Sequence, residues 1–131
     1  MEIDYIALFV SDVNLSVTFY REVLGFQFDK PIAQDGTEGL SGSLKIGIYD
    51  RIWLAKLFGE NQDSALNSHS FLLSMTADHL ETTYQHLLQS QIQDLVPNVN
   101  PPKMMPWGQK IIFLTDPDGN LLEIVEKRPS S

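Results

Sequence analysis

The strongest constraint on the fold of this chain is that one order of hydrophobic patterning runs through it twice. Residues 3–10 (IDYIALFV) are rich in β-branched and aromatic side chains and end at Ser11, Asp12 and Asn14, residue types that open helices. Next, Leu15, Phe19 and Val23 form one i,i+4 row and Ser16, Tyr20 and Leu24 the adjacent row. Gly25 then supplies a left-handed cap, so the spacing predicts an amphipathic helix of about three turns. FQFDK reads as a strand and is followed by a Gly-, Gln- and Asp-containing connection. GSLKIGIYD and RIWLAKLF read as further strands separated by a turn near Asp50. The first half is therefore expected to be βαβββ.

Residues 59–67 (GENQDSALN) are polar and unpatterned and read as a joining loop. The order then repeats. HSFLLSM is strand-like, Asp78 with Glu81 fits a capping box, and Leu80, Tyr84, Leu87 and Leu88 supply a buried helical stripe. A short apolar step (IQDLV) and a Pro-rich connection through Pro97, Pro101, Pro102 and Pro106 lead to GQKIIFLT and NLLEIVE. Asp116-Pro117-Asp118-Gly119 joins these two as a hairpin, with Pro at the second turn position and Gly at the fourth. Asp12 and Asp78 lie about half the chain apart, as do Tyr20 and Tyr84, which makes internal duplication the economical explanation. The expectation is one α+β domain: module one about 1–58, the joining loop about 59–67 and module two about 68–127.

Composition narrows the function. With 131 residues, 43% of them hydrophobic, the chain has material for a sizeable core. Its formal charge of -8, from 17 acidic against 9 basic residues, repels a phosphate backbone and argues against nucleic acid. The absence of cysteine excludes thiolate catalysis, disulfides and thiolate metal sites. The opening MEIDYIALFVSD lacks a basic start and no stretch approaches membrane-spanning length, so a cytoplasmic protein with no membrane partner is expected.

Two runs carry a more specific signal. FVSDVNLSVTFYREVLGF joins a strand end to an Asp-initiated helix with a Phe-Tyr pair and a Leu-Gly-Phe exit, and WGQKIIFLTDPDGNLLEIVE joins the DPDGN hairpin to a strand bearing Glu. Together they resemble the most recognisable stretches of the vicinal oxygen chelate superfamily, which contains glyoxalase I, extradiol dioxygenases, fosfomycin-resistance enzymes and bleomycin-resistance proteins. The resemblance implies two βαβββ modules whose sheets curve into an incomplete barrel around a central cavity, often in a homodimer. In the superfamily's enzymes that cavity holds a divalent metal, ligated from the first and fourth strands of each module.

Strand parity gives an independent test of that site. In NLLEIVE, Leu121, Glu123 and Val125 point one way and Leu122, Ile124 and Glu126 the other. Glu123 stands in an apolar row, where an ionised carboxylate is costly unless paired or metal-bound, and it matches the family's last ligand by its place after DPDG. A Lys or Arg across the sheet would satisfy it equally. Tyr5 stands where the metal enzymes place a His, and a neutral phenol is a poor ligand. The segment Trp53 to Leu57, read as the fourth strand, offers only Lys56, which repels a cation. His69 or its neighbour Ser70 falls near the remaining position. His69 and Glu123 would hold a divalent Zn, Ni, Mn or Fe with two protein ligands where catalytic sites normally use three, so no metal is favoured. His79 and His86 read as surface residues of the second helix.

The reading that remains is a metal-independent small-molecule binding protein of the bleomycin-resistance and glyoxalase-like type, taking an aromatic or cationic ligand. Tyr5, Trp53, Trp107 and Phe113 would form its walls, Glu123 would hold a cationic group and Lys56 would lie inside the cup. Core packing competes for Phe113. Trp107 lies in the Pro- and Met-rich PPKMMPWG and suits a lid. The alternatives are a metal-dependent lyase, isomerase or dioxygenase on Glu123 and His69, and a metal-free enzyme with Tyr5 as acid and Glu123 as base.

Overall fold

The computed structural model describes residues 2–33, 35–53, 56 and 72–127. The chain divides into two compact units, Met1–Ser68 and His69–Ser131, each built on its own sheet. The α+β class expected from the sequence is the one the structure has.

The first unit opens with β1 (Tyr5–Val10), whose alternation buries Leu8 and Val10 on one face. Asp12 turns the chain into α1 (Val13–Thr18): its carboxylate accepts the Leu15 N–H at 3.0 Å. We expect Asp12→Ala to lower stability by about 1 kcal/mol, read as a drop of about 4 °C in the melting temperature. An unshifted melt would mean that water replaces the cap at no cost.

The helix departs from the regular pattern at Phe19–Val23, which is a π-helical turn. The Leu24 N–H reaches back to the Phe19 carbonyl, five residues away, at 3.4 Å. The wider turn carries both Phe19 and Tyr20 into the core, fully buried and edge-to-face at 5.0 Å. The buried stripe is therefore Val13, Ser16, Val17 and Tyr20 with Phe19 and Val23, while Leu15, expected to be buried, is 43% exposed. A regular 3.6-residue period puts Leu15 on the row of Phe19, and the π turn breaks that register. Gly25, at φ +76°, ends the helix as expected.

Two strands follow, one within the expected GSLKIGIYD and one where a connection was expected. FQFDK forms just a bridge, Gln27 to Leu40. The supposed connection contains β2 (Gly36–Ser41), which pairs antiparallel with β3 (Leu44–Asp50), and β3 pairs parallel with β1, giving the order β1-β3-β2. The described part of RIWLAKLF is not a strand: Arg51 lies in a turn, and Ile52, Trp53 and Lys56 are helical, the rest lying outside the described residues. Asp50 causes the change, its carboxylate accepting the Ile52 N–H at 2.9 Å and stopping the extended chain.

The second unit contains β4 (Leu72–Ala77), α2 (Leu80–Ile92), β5 (Asn98–Val99), β6 (Lys103–Met104), β7 (Lys110–Thr115) and β8 (Leu121–Glu126). The sheet runs β4-β8-β7-β5, and β6 also pairs with β7. As in the first unit, the first strand pairs parallel with the last, β4 with β8. The N-cap of α2 is His79, which makes no side-chain cap bond, so the Asp78–Glu81 capping box does not form. Leu80, Leu87 and Ser90 are buried on α2, with Tyr84 and Leu88 half-buried, and Ile112, Leu114, Leu122 and Ile124 are buried on the sheet. His79 and His86 are exposed. The expected joining loop, 59–67, lies outside the described residues.

Candidate functional site

The first unit's sheet has two unlike faces. Ile6, Leu8 and Val10 alternate with Tyr5, Ala7 and Phe9 along β1, and the second set faces away from the Leu8 and Val10 core. Parallel pairing sets Ala7 beside Gly47 and Phe9 beside Tyr49, and antiparallel pairing sets Glu38 of β2 on the far side of Gly47. One row across the sheet is therefore Ala7, Gly47, Glu38.

Gly47 makes the next layer possible. A Cβ built there would fall within the Tyr5 hydroxyl and the Tyr49 ring, so the Tyr5 phenol occupies the space that any side chain at position 47 would need. In that place the Tyr5 and Tyr49 hydroxyls share a hydrogen bond of 2.6 Å. Phe9 packs on Tyr49 with ring centroids 6.3 Å apart. Together Tyr5, Ala7, Phe9, Glu38, Tyr49 and Trp53 line a cavity of about 470 Å³, within the range of small-molecule sites. Burial, then the Tyr49 hydrogen bond and then the Glu38 charge push the Tyr5 phenol well above the ordinary tyrosine range. Tyr5 is thus a neutral hydroxyl, able to donate and accept, and not a phenolate base.

Trp53 follows the turn at Asp50. Its indole N–H is buried and finds no acceptor among the described residues. Lys56 is not among the cavity-lining residues; its ammonium sits 4.6 Å over the Trp53 ring.

The remaining candidates belong to the second unit. Glu123, half-buried on β8, lies between Ser74 of β4 and half-buried Phe113 of β7. It makes no ion pair or hydrogen bond among the described residues. Trp107 sits in the tight turn between β6 and β7, 61% exposed, its indole N–H donating to the Gln109 side chain at 3.0 Å. His69 lies outside the described residues. Of the six residues proposed from sequence as ligand contacts, the structure brings Tyr5 and Trp53 to one cavity in the first unit.

A divalent metal fits these donors poorly. By internal register, Val10 pairs with Asp50 where Ala77 pairs with Glu126, so Gly47 holds in the first unit the place of Glu123 in the second. The first unit thus offers a neutral phenol and a glycine. Among the described residues no group of three or more His, Asp or Glu side chains converges.

Sequence reasoning missed Phe9, Glu38 and Tyr49. Period-two alternation from Tyr5 points to Phe9. Glu38 and Tyr49 depend on strand register, which spacing alone does not give.

Comparison with known proteins adds the lineage. The chain is 27% identical over 128 residues to YraH, an uncharacterized protein of Bacillus subtilis, covering 95% of this chain and 97% of that one. The crystal structure of a glyoxalase/bleomycin resistance protein/dioxygenase family enzyme from Burkholderia phytofirmans matches with a TM-score of 0.78 at 21% identity, covering 96% and 98% of the two chains. TnmS3, an antibiotic binding protein from Streptomyces, matches with a TM-score of 0.69 at 19% identity, covering 98% and 97%. The family model for Glyoxalase/Bleomycin resistance protein/Dioxygenase superfamily matches residues 2–124, and the chain belongs to that superfamily.

Proposed function

We propose that this protein binds a small organic molecule in the aromatic cup of the first unit and does so without a metal. The observation that carries the reading is the Tyr5 phenol lying over Gly47. A first-strand His and a fourth-strand carboxylate would be the metal ligands of this module, and here one is a neutral phenol and the other has no side chain. What replaces them is a set of aromatic side chains, Tyr5, Phe9, Tyr49 and Trp53, suited to an aromatic or cationic guest. That a fold neighbour is an antibiotic binding protein supports the same direction. The reading treats the two units as one cytoplasmic domain that pairs as a homodimer, with Glu123, Phe113 and Trp107 as further contacts.

The test is elemental analysis of the purified protein, followed by Ni, Co, Zn and Mn titration of wild type and Glu123→Ala. We expect no stoichiometric metal in either protein. Near-stoichiometric metal in wild type that disappears in Glu123→Ala would overturn the reading and favour a lyase or dioxygenase using His69 and Glu123.

A further inference from the structure

We infer that Glu38 is the specificity-determining residue of the cup and that the ligand it selects is an organic cation, an aromatic body carrying an ammonium or amidinium group. The inference rests on the binding reading above and adds to it the charge of the ligand and the residue that sets it.

Among the described residues that line the cavity, Glu38 is the one ionisable carboxylate, and the others contribute phenol, phenyl, indole and methyl. The hydrogen-bond balance at that end of the cup is uneven. Tyr5 and Tyr49 carry one O–H each, and one of the two is consumed by their mutual bond at 2.6 Å. That leaves a single phenolic donor beside a carboxylate that only accepts, through two oxygens. The polar end therefore has more acceptor capacity than donors, and it is completed by a guest that brings donors and positive charge. An anionic guest would meet the Glu38 charge in a partly desolvated setting.

Lys30 does not satisfy this demand. Its ammonium approaches the Glu38 carboxylate no closer than 3.8 Å, with the two side chains 71% and 40% exposed, an ion pair of the weak surface kind. A bound cation displaces it at small cost. The aromatic walls favour the same charge, since Phe9, Tyr49 and Trp53 line the cavity and an aromatic face carries the negative side of the ring quadrupole. Lys56 over Trp53 shows that this indole accepts a cation on its face. The acidic balance of the whole chain, -8, raises the local concentration of cations and speeds their arrival.

The experiment is calorimetric titration of the full chain with three probes that share a ring system and differ in charge: 2-naphthylmethylammonium, neutral 2-naphthylmethanol and anionic 2-naphthoate. In wild type the ammonium is expected to bind about tenfold tighter than the alcohol, and the naphthoate most weakly. In Glu38→Gln the ratio of ammonium to alcohol affinity should collapse toward one. In Lys30→Gln, which removes the competing cation and leaves the cup intact, the ratio should rise. Naphthoate binding as tightly as the ammonium, or a preference that survives Glu38→Gln, would overturn the assignment while leaving a charge-blind cup standing. If Glu38→Gln fails to fold, an unchanged ratio in Lys30→Gln overturns it instead. Failure of all three probes to bind wild type would remove the binding reading itself.

Discussion

Asp116→Ala is expected to destabilise the protein by about 3 kcal/mol, a drop of about 12 °C in melting temperature for a domain of this size. Asp116 is fully buried at the turn between β7 and β8. One carboxylate oxygen accepts the backbone N–H of Asp118 at 2.9 Å and of Asn120 at 2.8 Å, and the other accepts the Asn120 side-chain amide at 2.8 Å. Hydrogen bonds to a charged acceptor contribute more than neutral ones, and removing the acceptor leaves donors partly shielded from water. The cost falls on the hairpin that carries Glu123 and Phe113, so the second unit's sheet loses its register first. Asp116→Asn should cost about half as much, because one oxygen survives to serve the two backbone donors while the Asn120 amide loses its partner. Thermal melts of both variants and of Asn120→Ala decide the matter. If Asp116→Ala melts within about 2 °C of wild type, this network is not what fixes the turn.

That hairpin was legible because its chemistry is local. Asp-Pro-Asp-Gly specifies a turn through φ restriction at Pro117, Asx hydrogen bonding at Asp116 and positive φ at Gly119, which lies at +82°. The same holds for the Asp12 cap and the Gly25 terminator: each acts within a few residues of itself. The failures concern elements whose form is decided at a distance. GTEGLS reads as a loop by composition, yet Gly39 is needed in β2 because a Cβ there would strike the Gln27 backbone and the Phe28 ring. RIWLAKLF has the composition of a buried strand, but a short apolar run fits helix and strand equally, and the deciding group was the Asp50 side chain just ahead of it. The π turn at Phe19 has no composition signal of its own, and it moves Leu15 to the surface.

The site divides along the same line. Tyr5 stood out because it replaces a His at a position fixed by its distance to Asp12, and Trp53 because large aromatics beside turns are conspicuous. Glu38 lies on a strand whose composition reads as a connection, and Tyr49 lies on the expected GSLKIGIYD strand, but its approach to Tyr5 depends on the pairing of that strand with β1. Glu123 was found by parity and motif, but parity says only which face it takes, not what stands opposite. Its neighbours, Ser74 and Phe113, follow from the pairing of β4, β7 and β8.

Gly47→Ala is the change expected to act most strongly on binding. A methyl group at this position cannot coexist with the Tyr5 phenol and the Tyr49 ring where they now lie. The rings of Tyr49 and Tyr5, both half-buried, are the parts free to move, so the overpacking is relieved by shifting the first and swinging the Tyr5 phenol away, at a cost of about 1–2 kcal/mol in stability. Its hydrogen bond to Tyr49 is then lost and one wall of the cup is displaced, so the affinity for 2-naphthylmethanol should fall by about tenfold or more. Tyr5→Phe is the informative control, because it keeps the wall and removes the hydroxyl, and most of the affinity for the neutral probe should survive. The two sites must also be coupled: with Tyr5→Ala already in place, adding Gly47→Ala should cost less than it does in wild type, because the methyl then has the Tyr49 ring alone to displace. Additive losses in that cycle would mean that the phenol does not press on Gly47. Mutual exclusion at this point also bears on the metal question. A carboxylate at position 47, the register counterpart of Glu123, would need the volume that Tyr5 fills, so Tyr5 in this pose and a metal-ligating carboxylate at position 47 exclude each other.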